Sequence, residues 1–168
     1  MGTSMRQPSA AGANTFFLCE TGCGTIFQIT PNRVLTTLYN FCSQTDCTDG
    51  YNSNQLGGLV QATNGKFYGT APSGGTNLDG TFFSLSIGLG PFVETSPTSG
   101  DVGASIEILG TDLTGATSVT FNGAAAAFTV VSGTEITATV PAGATSGTVE
   151  VVTPGGTLSS NVPFRVLQ

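Results

Sequence analysis

The stretch Glu135-Ile-Thr-Ala-Thr-Val-Pro141, followed by Gly147-Thr-Val-Glu-Val-Val-Thr-Pro-Gly-Gly156, decides the fold of this chain. In both segments apolar residues alternate with polar ones, which is the period-two pattern of a half-buried β-strand. Proline closes each strand because it has no N–H to donate to a sheet ladder. Similar short runs recur through residues 91–168, separated by turn residues such as Asn122-Gly123. The pattern predicts an all-β sandwich over this segment.

The apolar positions of these runs define one predicted inward row. Such residues alternate with outward-facing polar residues along each strand, so we interpret them as a core and not as a ligand-binding surface. The row consists of Ile106, Ile108, Val119, Phe121, Phe128, Val130, Ile136, Val140, Val149, Val151, Phe164 and Val166.

The composition favours β structure for the whole chain. Its 168 residues include 24 glycines and 8 prolines, and only 8% are charged. Helix surfaces draw on Glu, Lys, Gln and Arg, whose straight side chains lose little rotamer freedom in a helix, and these residues are scarce here. We therefore expect few helices.

Charge and the absence of histidine exclude several functions. The net charge is −6, and the four basic residues are scattered along the chain. Nucleic-acid binding needs a clustered basic surface, so it is not expected. The chain has no histidine, which excludes a Ser-His-Asp or Cys-His mechanism and removes the commonest metal ligand. We expect no enzyme and no obligatory cofactor.

The chain is interpreted as extracellular or attached to the cell surface. It contains no run of about 18 apolar residues, so no membrane-spanning helix is expected. Residues 1–13 lack the apolar core of a signal peptide, and we expect residues 1–14 to form a disordered tail. Either the signal has been removed, or the chain is a piece of a longer exported protein.

A partial internal repeat precedes the predicted sandwich. The string Gly24-Thr-Ile-Phe-Gln-Ile29 reappears 56 positions later as Gly80-Thr-Phe-Phe-Ser-Leu85. Periods of this order accompany propellers and other stacked arrays, in which each unit buries its apolar face against a neighbour. Between the copies, Asn64-Gly65 is flanked by alternating runs and predicts a β-hairpin with a type I′ turn. Residues 15–89 therefore read as a small antiparallel unit that resembles a propeller blade of three or four strands.

This unit resembles the bacterial GloVer tandem repeat of choice-of-anchor surface proteins. The resemblance is carried by Gly24-Thr-Ile-Phe-Gln-Ile-Thr-Pro31, Leu35-Thr-Thr-Leu-Tyr-Asn-Phe-Cys42, Cys47-Thr-Asp-Gly50, Gly58-Leu-Val-Gln61 and Asn64-Gly-Lys-Phe-Tyr-Gly-Thr70. It implies an exported protein with many such repeats, of which this chain has about one. A single unit leaves apolar faces and strand edges unpaired, so we expect it to pack on the sandwich or to form an oligomer.

Residues 91–168 resemble an IPT/TIG domain, an immunoglobulin-like sandwich of the E-set type. The resemblance is carried by Pro97-Thr-Ser-Gly100, Val119-Thr-Phe-Asn-Gly123, Ile136-Thr-Ala-Thr-Val-Pro141, Thr153-Pro-Gly-Gly156 and Phe164-Arg-Val166, among other positions. It implies a spacer or docking domain, of a kind that also accompanies enzymes acting on polysaccharides. The short segment Ile87-Gly-Leu-Gly-Pro91 is the expected linker.

The four cysteines are interpreted as disulfide-bonded. They lie in two close pairs, Cys19 with Cys23 and Cys42 with Cys47, and neither pair has the Cys-x-x-Cys spacing typical of structural zinc sites. Disulfides suit an exported, loop-rich protein. We prefer the pairing within each close pair, since Cys42–Cys47 would close a polar loop. Cys19–Cys47 with Cys23–Cys42 stays an alternative.

Two ligand sites are weighed near this loop. Asp46 and Asp49 flank a Gly-containing turn rich in side-chain oxygens, which suits calcium, although Asx turns have this composition without metal. Flat aromatic rings beside amide groups suit sugar rings, and Tyr51, Tyr68, Asn52 and Asn54 offer both, with Tyr51 and Tyr68 expected to be exposed.

The leading functional hypothesis is a non-enzymatic structural and interaction module. Its partners would be other surface proteins or a second copy of the chain, associating through the incomplete repeat. The alternative is a carbohydrate-binding accessory module. A third hypothesis, a small glycan-acting hydrolase, needs two carboxyl groups that face one cleft, and Asp46 with Asp49 is the only close pair.

Overall fold

The computed structural model describes Ser4–Arg6, Cys19 and residues 22–51 and 58–167. The chain divides into two compact units. The first unit comprises Met1–Gln61 and Phe67–Ser86, and the second comprises Ala62–Lys66 and Ile87–Gln168. Nearly all regular structure is β-strand, as the composition predicts. In the described ranges, no helix has the length and apolar character needed to cross a membrane.

The first unit contains two three-stranded antiparallel sheets and one short 3₁₀ turn. One sheet has the strand order β1-β2-β3 and the other has the order β4-β5-β6. The strands are β1 (Ser4–Arg6), β2 (Thr25–Ile29), β3 (Leu35–Asn40), β4 (Val60–Gln61), β5 (Phe67–Ala71) and β6 (Thr81–Leu85), and the 3₁₀ turn is Thr45–Cys47.

The repeat therefore does not form a single blade of three or four strands, because its two copies lie in different sheets. β2 begins the first copy and β6 begins the second. Residues 1–14 were expected to form a disordered tail. Their described part, Ser4–Arg6, is strand β1 and pairs with β2. The hairpin expected at Asn64-Gly65 joins β4 and β5, but only Gly65 has a positive φ, of 81°. The turn is therefore not the predicted type I′, which needs two such residues.

A small core holds the first unit together. Its buried members come from strands and loops alike, and the ring of Phe41 packs edge-on against Tyr39 and Phe83 at centroid distances of 5.4 and 5.2 Å. Burying a large side chain of this kind stabilises by roughly 1.5–3 kcal/mol. The buried residues are Cys19, Cys23, Ile26, Phe41, Cys47, Tyr51 and Ala71.

The second unit contains two four-stranded antiparallel sheets and one parallel strand pair. The sheet orders are β11-β10-β14-β15 and β12-β13-β9-β7, and β16 pairs with β8. The strands are β7 (Glu94–Ser96), β8 (Ser99–Asp101), β9 (Ser105–Leu109), β10 (Ser118–Phe121), β11 (Ala124–Ala125), β12 (Phe128–Ser132), β13 (Glu135–Thr139), β14 (Val149–Thr153), β15 (Gly156–Ser159) and β16 (Arg165–Leu167).

The core of the second unit confirms most of the predicted inward row. The rings of Phe121 and Phe164 meet edge-on at 5.0 Å between centroids, and both side chains are buried. Phe128, Val130 and Val166 are only partly buried at its margin. The buried members are Val93, Ile106, Ile108, Leu113, Val119, Phe121, Ile136, Ala138, Val140, Val149, Val151, Leu158 and Phe164.

Candidate binding site

One of two disulfide bonds closes the loop that follows β3. The structure joins Cys19 to Cys23 and Cys42 to Cys47, which is the pairing preferred from the sequence. Among the described residues, the one group of three or more potential metal ligands whose ligand atoms converge is Cys19, Cys23 and Cys42, with sulfurs within 4.8 Å of one another. Bonded sulfurs are not thiolates, the form that binds zinc, so these sulfurs do not serve as zinc ligands while the disulfides are formed.

Asp49 closes the loop from inside. Its Oδ2 accepts hydrogen bonds from the Tyr39 hydroxyl at 2.6 Å, the Ser43 N–H at 2.9 Å and the Ser43 hydroxyl at 2.8 Å. Its Oδ1 accepts the Gln44 N–H at 3.3 Å. The carboxylate therefore holds the start of the loop, at Ser43 and Gln44, against its end at Asp49. Asp46, the other carboxylate considered for calcium, is exposed on the 3₁₀ turn with a φ of 55°.

The same contacts set the charge states of Asp49 and Tyr39. Burial works to raise the pKa of Asp49, but the hydrogen bonds from Tyr39, Ser43 and Gln44 outweigh it, so the pKa lies below its ordinary value. Burial raises the pKa of Tyr39, and the hydrogen bond to the Asp49 carboxylate raises it further. At neutral pH Asp49 is ionised and Tyr39 is protonated.

Replacing Asp49 with alanine is expected to destabilise the first unit by about 2 kcal/mol, because its donors lose a charged acceptor. Asparagine retains one carbonyl oxygen and should cost about 1 kcal/mol. The lowered pKa means that Asp49 stabilises the fold above the ordinary aspartate pKa of about 3.9, and that this contribution is lost as pH falls through the folded-state value. Urea unfolding of wild type and Asp49→Asn, from neutral pH to below the ordinary aspartate pKa, measures the effect.

The matched control is Asp46→Asn, which makes the same charge change on an exposed side chain of the same loop. Its stability difference from wild type should stay small at every pH. The Asp49→Asn difference should shrink as the pH is lowered. A difference that is constant with pH, or equal to that of Asp46→Asn, would contradict the role assigned to Asp49.

The structure corrects the exposure expected for Tyr51. Only 8% of this residue is exposed, and it belongs to the core of the first unit. Its N–H donates to the Ser73 carbonyl oxygen at 2.8 Å. Tyr51 therefore presents no flat face to a sugar. Asn52 and Asn54 lie outside the described residues.

Tyr68 instead shares an outward sheet face with a phenylalanine. Tyr68 on β5 and Phe82 on β6 stack at 5.7 Å between ring centroids, with an interplanar angle of 15°. Phe82 is 71% exposed, and Val60, which lies opposite Tyr68 on β4, is 68% exposed. Val60, Tyr68 and Phe82 thus form an apolar surface, which we call the outer face of the β4-β5-β6 sheet.

A groove of about 330 Å³ follows β6 in the same unit. Every residue of β6 from Thr81 to Leu85 lines it, so it follows the edge of the strand and not one side of the sheet. The opposite wall comes from β2, β3 and the disulfide loop. We call this cavity the β6 groove, and its lining residues outside β6 are Ile26, Tyr39, Phe41, Gln44, Thr48 and Asp49.

Sequence reasoning did not single out Phe82 or Tyr39. The internal repeat contained a signal for Phe82, because the 56-residue offset aligns it with Ile26, an apolar position of β2. Without a structure, that alignment predicts equal burial for both residues. The role of Tyr39 depends on its hydroxyl reaching Asp49 across ten residues, which no local pattern shows.

Comparison with known proteins identifies the second unit only. Residues 92–166 match the family model of the IPT/TIG domain, so this segment is an IPT/TIG domain of immunoglobulin-like fold. No curated protein matches the chain.

Two solved structures are similar to the chain at low identity. One is a protein crystallised with a xylogluco-oligosaccharide, at 15% identity and a TM-score of 0.40, with 97% of this chain and 33% of that chain covered. The other is SGBP-B from a complex xyloglucan utilization locus in Bacteroides uniformis, at 14% identity and a TM-score of 0.37, with 95% and 40% covered. The chain thus spans between a third and two-fifths of the length of these proteins.

Proposed function

We propose that this chain is a non-enzymatic structural and interaction module of an exported protein. The first unit supplies the binding surface, and the IPT/TIG domain serves as a spacer or docking platform. The single observation that carries the proposal is the outer face of the β4-β5-β6 sheet, where Val60 and Phe82 are more than two-thirds exposed. Contiguous exposed apolar surface of this kind marks interaction sites.

The state of Asp49 supports a non-enzymatic role. A glycan-acting hydrolase needs a carboxylic acid whose raised pKa keeps it protonated near neutral pH. Asp49 has a lowered pKa and is held by Tyr39, Ser43 and Gln44. This direction is opposite to the one that the proton donor of such an enzyme needs.

The disulfides support export. Cys19–Cys23 and Cys42–Cys47 would be reduced in most cytosolic compartments, whereas they persist in secreted and surface proteins. Each closes a loop of a few residues in the core of the first unit. An extracellular or cell-surface location is the setting that fits this construction.

We also assign the first unit to the GloVer type of tandem repeat. β2 and β6 occupy equivalent positions in the two copies, and the glycines that precede them, Gly24 and Gly80, share positive φ values of 103° and 93°. A repeat of this kind stacks on its neighbours, which accounts for apolar residues on its outer face. The partners that fit are other repeat-bearing surface proteins or a second copy of this chain.

The full chain is expected to self-associate through the outer face. Phe82→Lys should weaken the association about tenfold or more, because burying a phenylalanine contributes roughly 1.5–3 kcal/mol and a lysine there would have to be desolvated. Val131→Lys, at an exposed valine of the second unit, is the control and should change little. Sedimentation velocity over a wide concentration range measures both. A wild-type chain that stays monomeric throughout would contradict self-association.

A second candidate, polysaccharide binding, is favoured by the stacked pair Tyr68–Phe82. Aromatic rings with an open face suit the apolar side of a sugar ring. Affinity electrophoresis in gels that contain xyloglucan or another soluble polysaccharide tests it. Retarded migration that is lost in Phe82→Ala and kept in Val131→Ala would establish this candidate, and unretarded migration of wild type in every gel would reject it.

A further inference from the structure

β2 and β6 are equivalent strands whose surroundings differ on one side. Each follows a glycine of positive φ, and each has an antiparallel neighbour on one edge, β1 for β2 and β5 for β6. The registers correspond as well, since Ile29 pairs with Ser4 and the equivalent Leu85 pairs with Phe67. On its other edge β2 pairs with β3. Within the described ranges no strand pairs with the other edge of β6.

The segment that would cover β6 in a complete second copy is used elsewhere. β3 spans Leu35–Asn40, and the same offset of 56 residues leads to Pro91-Phe-Val-Glu-Thr-Ser96. That segment bears no resemblance to β3. It contains β7, which pairs with β9 in the second unit. The repeat is thus interrupted before its third strand, and β6 lacks the neighbour that β2 has.

The two equivalent positions also differ in burial. Ile26 on β2 is 1% exposed and lies opposite Tyr39 of β3. Phe82 occupies the equivalent position on β6 and is 71% exposed. A larger apolar side chain is therefore left in water at the position where the first copy buries its counterpart. A strand added at the free edge of β6 would place a residue next to Phe82, as β3 places Tyr39 next to Ile26.

The β6 groove lies along the strand to which such a peptide would add. It runs along all of β6 and is walled on the opposite side by Tyr39 and Phe41. Exposed strand edges are normally protected by charged residues or proline, because their unpaired N–H and C=O groups recruit other strands. β6 has the sequence Thr-Phe-Phe-Ser-Leu and carries neither.

We propose that the open edge of β6 is a strand-addition site for an extended peptide with the pattern of β3. Resting on the proposed interaction function, this inference names the partner as a polypeptide built from the same repeat. The bound strand would be uncharged and would alternate small polar and apolar residues, as Leu35–Asn40 does. Backbone hydrogen bonds to β6 would supply affinity, and side chains at alternate positions would supply specificity.

We take the added strand from another polypeptide, because the two candidate strands among the described residues are already paired. Its own β3 pairs along the full length of β2, from Leu35 with Ile29 to Asn40 with Thr25. The segment 91–96 contributes β7 to the second unit. A repeat unit of a partner protein carries the same pattern and has the same need for a neighbouring strand.

The probe is a fluorescein-labelled peptide of the sequence Val34-Leu-Thr-Thr-Leu-Tyr-Asn-Phe41, added to the full chain. Fluorescence polarisation should show saturable binding, and a scrambled peptide should not bind. Two further peptides are N-methylated at alternate residues, one at the odd and one at the even positions. Only one set of amides points towards β6 in an added strand, so one methylated peptide should bind more than about tenfold more weakly and the other should bind like the parent.

The protein variant Phe82→Ala should weaken binding of the parent peptide about tenfold, while Val131→Ala should leave it unchanged. Absence of binding by the parent peptide overturns the proposal, as does equal binding of both methylated peptides, which would mean side-chain contacts alone. Displacement of the peptide by a xyloglucan oligosaccharide but not by unlabelled peptide would assign the groove to sugar. If the chain self-associates through Phe82 but does not bind the peptide, strand addition fails and the proposed function stands.

Discussion

Replacing Phe121 with alanine is expected to lower the free energy of unfolding of the second unit by about 3–5 kcal/mol. Phe121 is 1% exposed at the end of β10, and its ring packs edge-on against Phe164. Truncation removes the transfer free energy of the ring and leaves a cavity that the two sheets cannot fully close. Urea unfolding followed by the amide NMR signals of the second unit measures the loss.

Phe82→Ala removes the same atoms from a ring that is 71% exposed, and so is the matched control. It should change stability by less than about 1 kcal/mol, because little apolar surface returns to water. Similar losses for the two variants would mean that the Phe121–Phe164 contact is not the centre of the sandwich core. The contrast also checks that Phe82 variants used in binding experiments stay folded.

Replacing Gly50 with alanine is expected to destabilise the first unit by about 3 kcal/mol or more. Gly50 has a φ of 88°, which an L side chain rarely adopts. A Cβ there would meet the side chain of Thr81 and would lie 2.8 Å from the Ala71 Cβ, so β5 and β6 would both have to move. The Gly50 carbonyl oxygen also accepts the Cys42 N–H at 3.0 Å, which links this strain to the disulfide loop.

Gly58→Ala is the control for this prediction, since a Cβ at Gly58 has open space around it and the residue lacks a positive φ. It should leave stability within about 1 kcal/mol of wild type. The amide signals of Thr81 and Ala71 should shift or disappear in Gly50→Ala and stay in place in Gly58→Ala. Equal stability of the two variants would contradict the close contacts described around Gly50.

The sandwich was predictable because the patterns that specify it lie within short stretches of sequence. Alternation of apolar and polar residues assigns each side chain to one face of a strand, and turn residues mark where strands end. Ile106, Ile108 and Phe121 were placed in the core on this basis, and all are buried. Leu113 was missed, since it lies in a loop between β9 and β10 where no alternation applies, yet its side chain is fully buried.

The candidate site was less predictable because it depends on contacts between distant residues. The cysteine pattern indicated a closed loop, and the structure has the Cys42–Cys47 bond there. Tyr51 was expected to be exposed, but it lies in the core of the first unit, where its N–H is hydrogen-bonded to the Ser73 carbonyl oxygen. Asp49 was considered as a metal ligand, whereas its oxygens hold Tyr39, Ser43 and Gln44.

The sequence by itself determined that the chain is all-β, that residues 92–166 form an IPT/TIG sandwich, and that the preceding unit contains a repeated strand. Only the tertiary structure decided what the two copies of that strand do. Ile26 and Phe82 hold the same position in the repeat, but one is 1% exposed and the other 71%. Burial depends on what packs against the sheet face that carries the side chain. Ile26 lies in the core of the first unit, whereas Phe82 lies on the outer face of the β4-β5-β6 sheet.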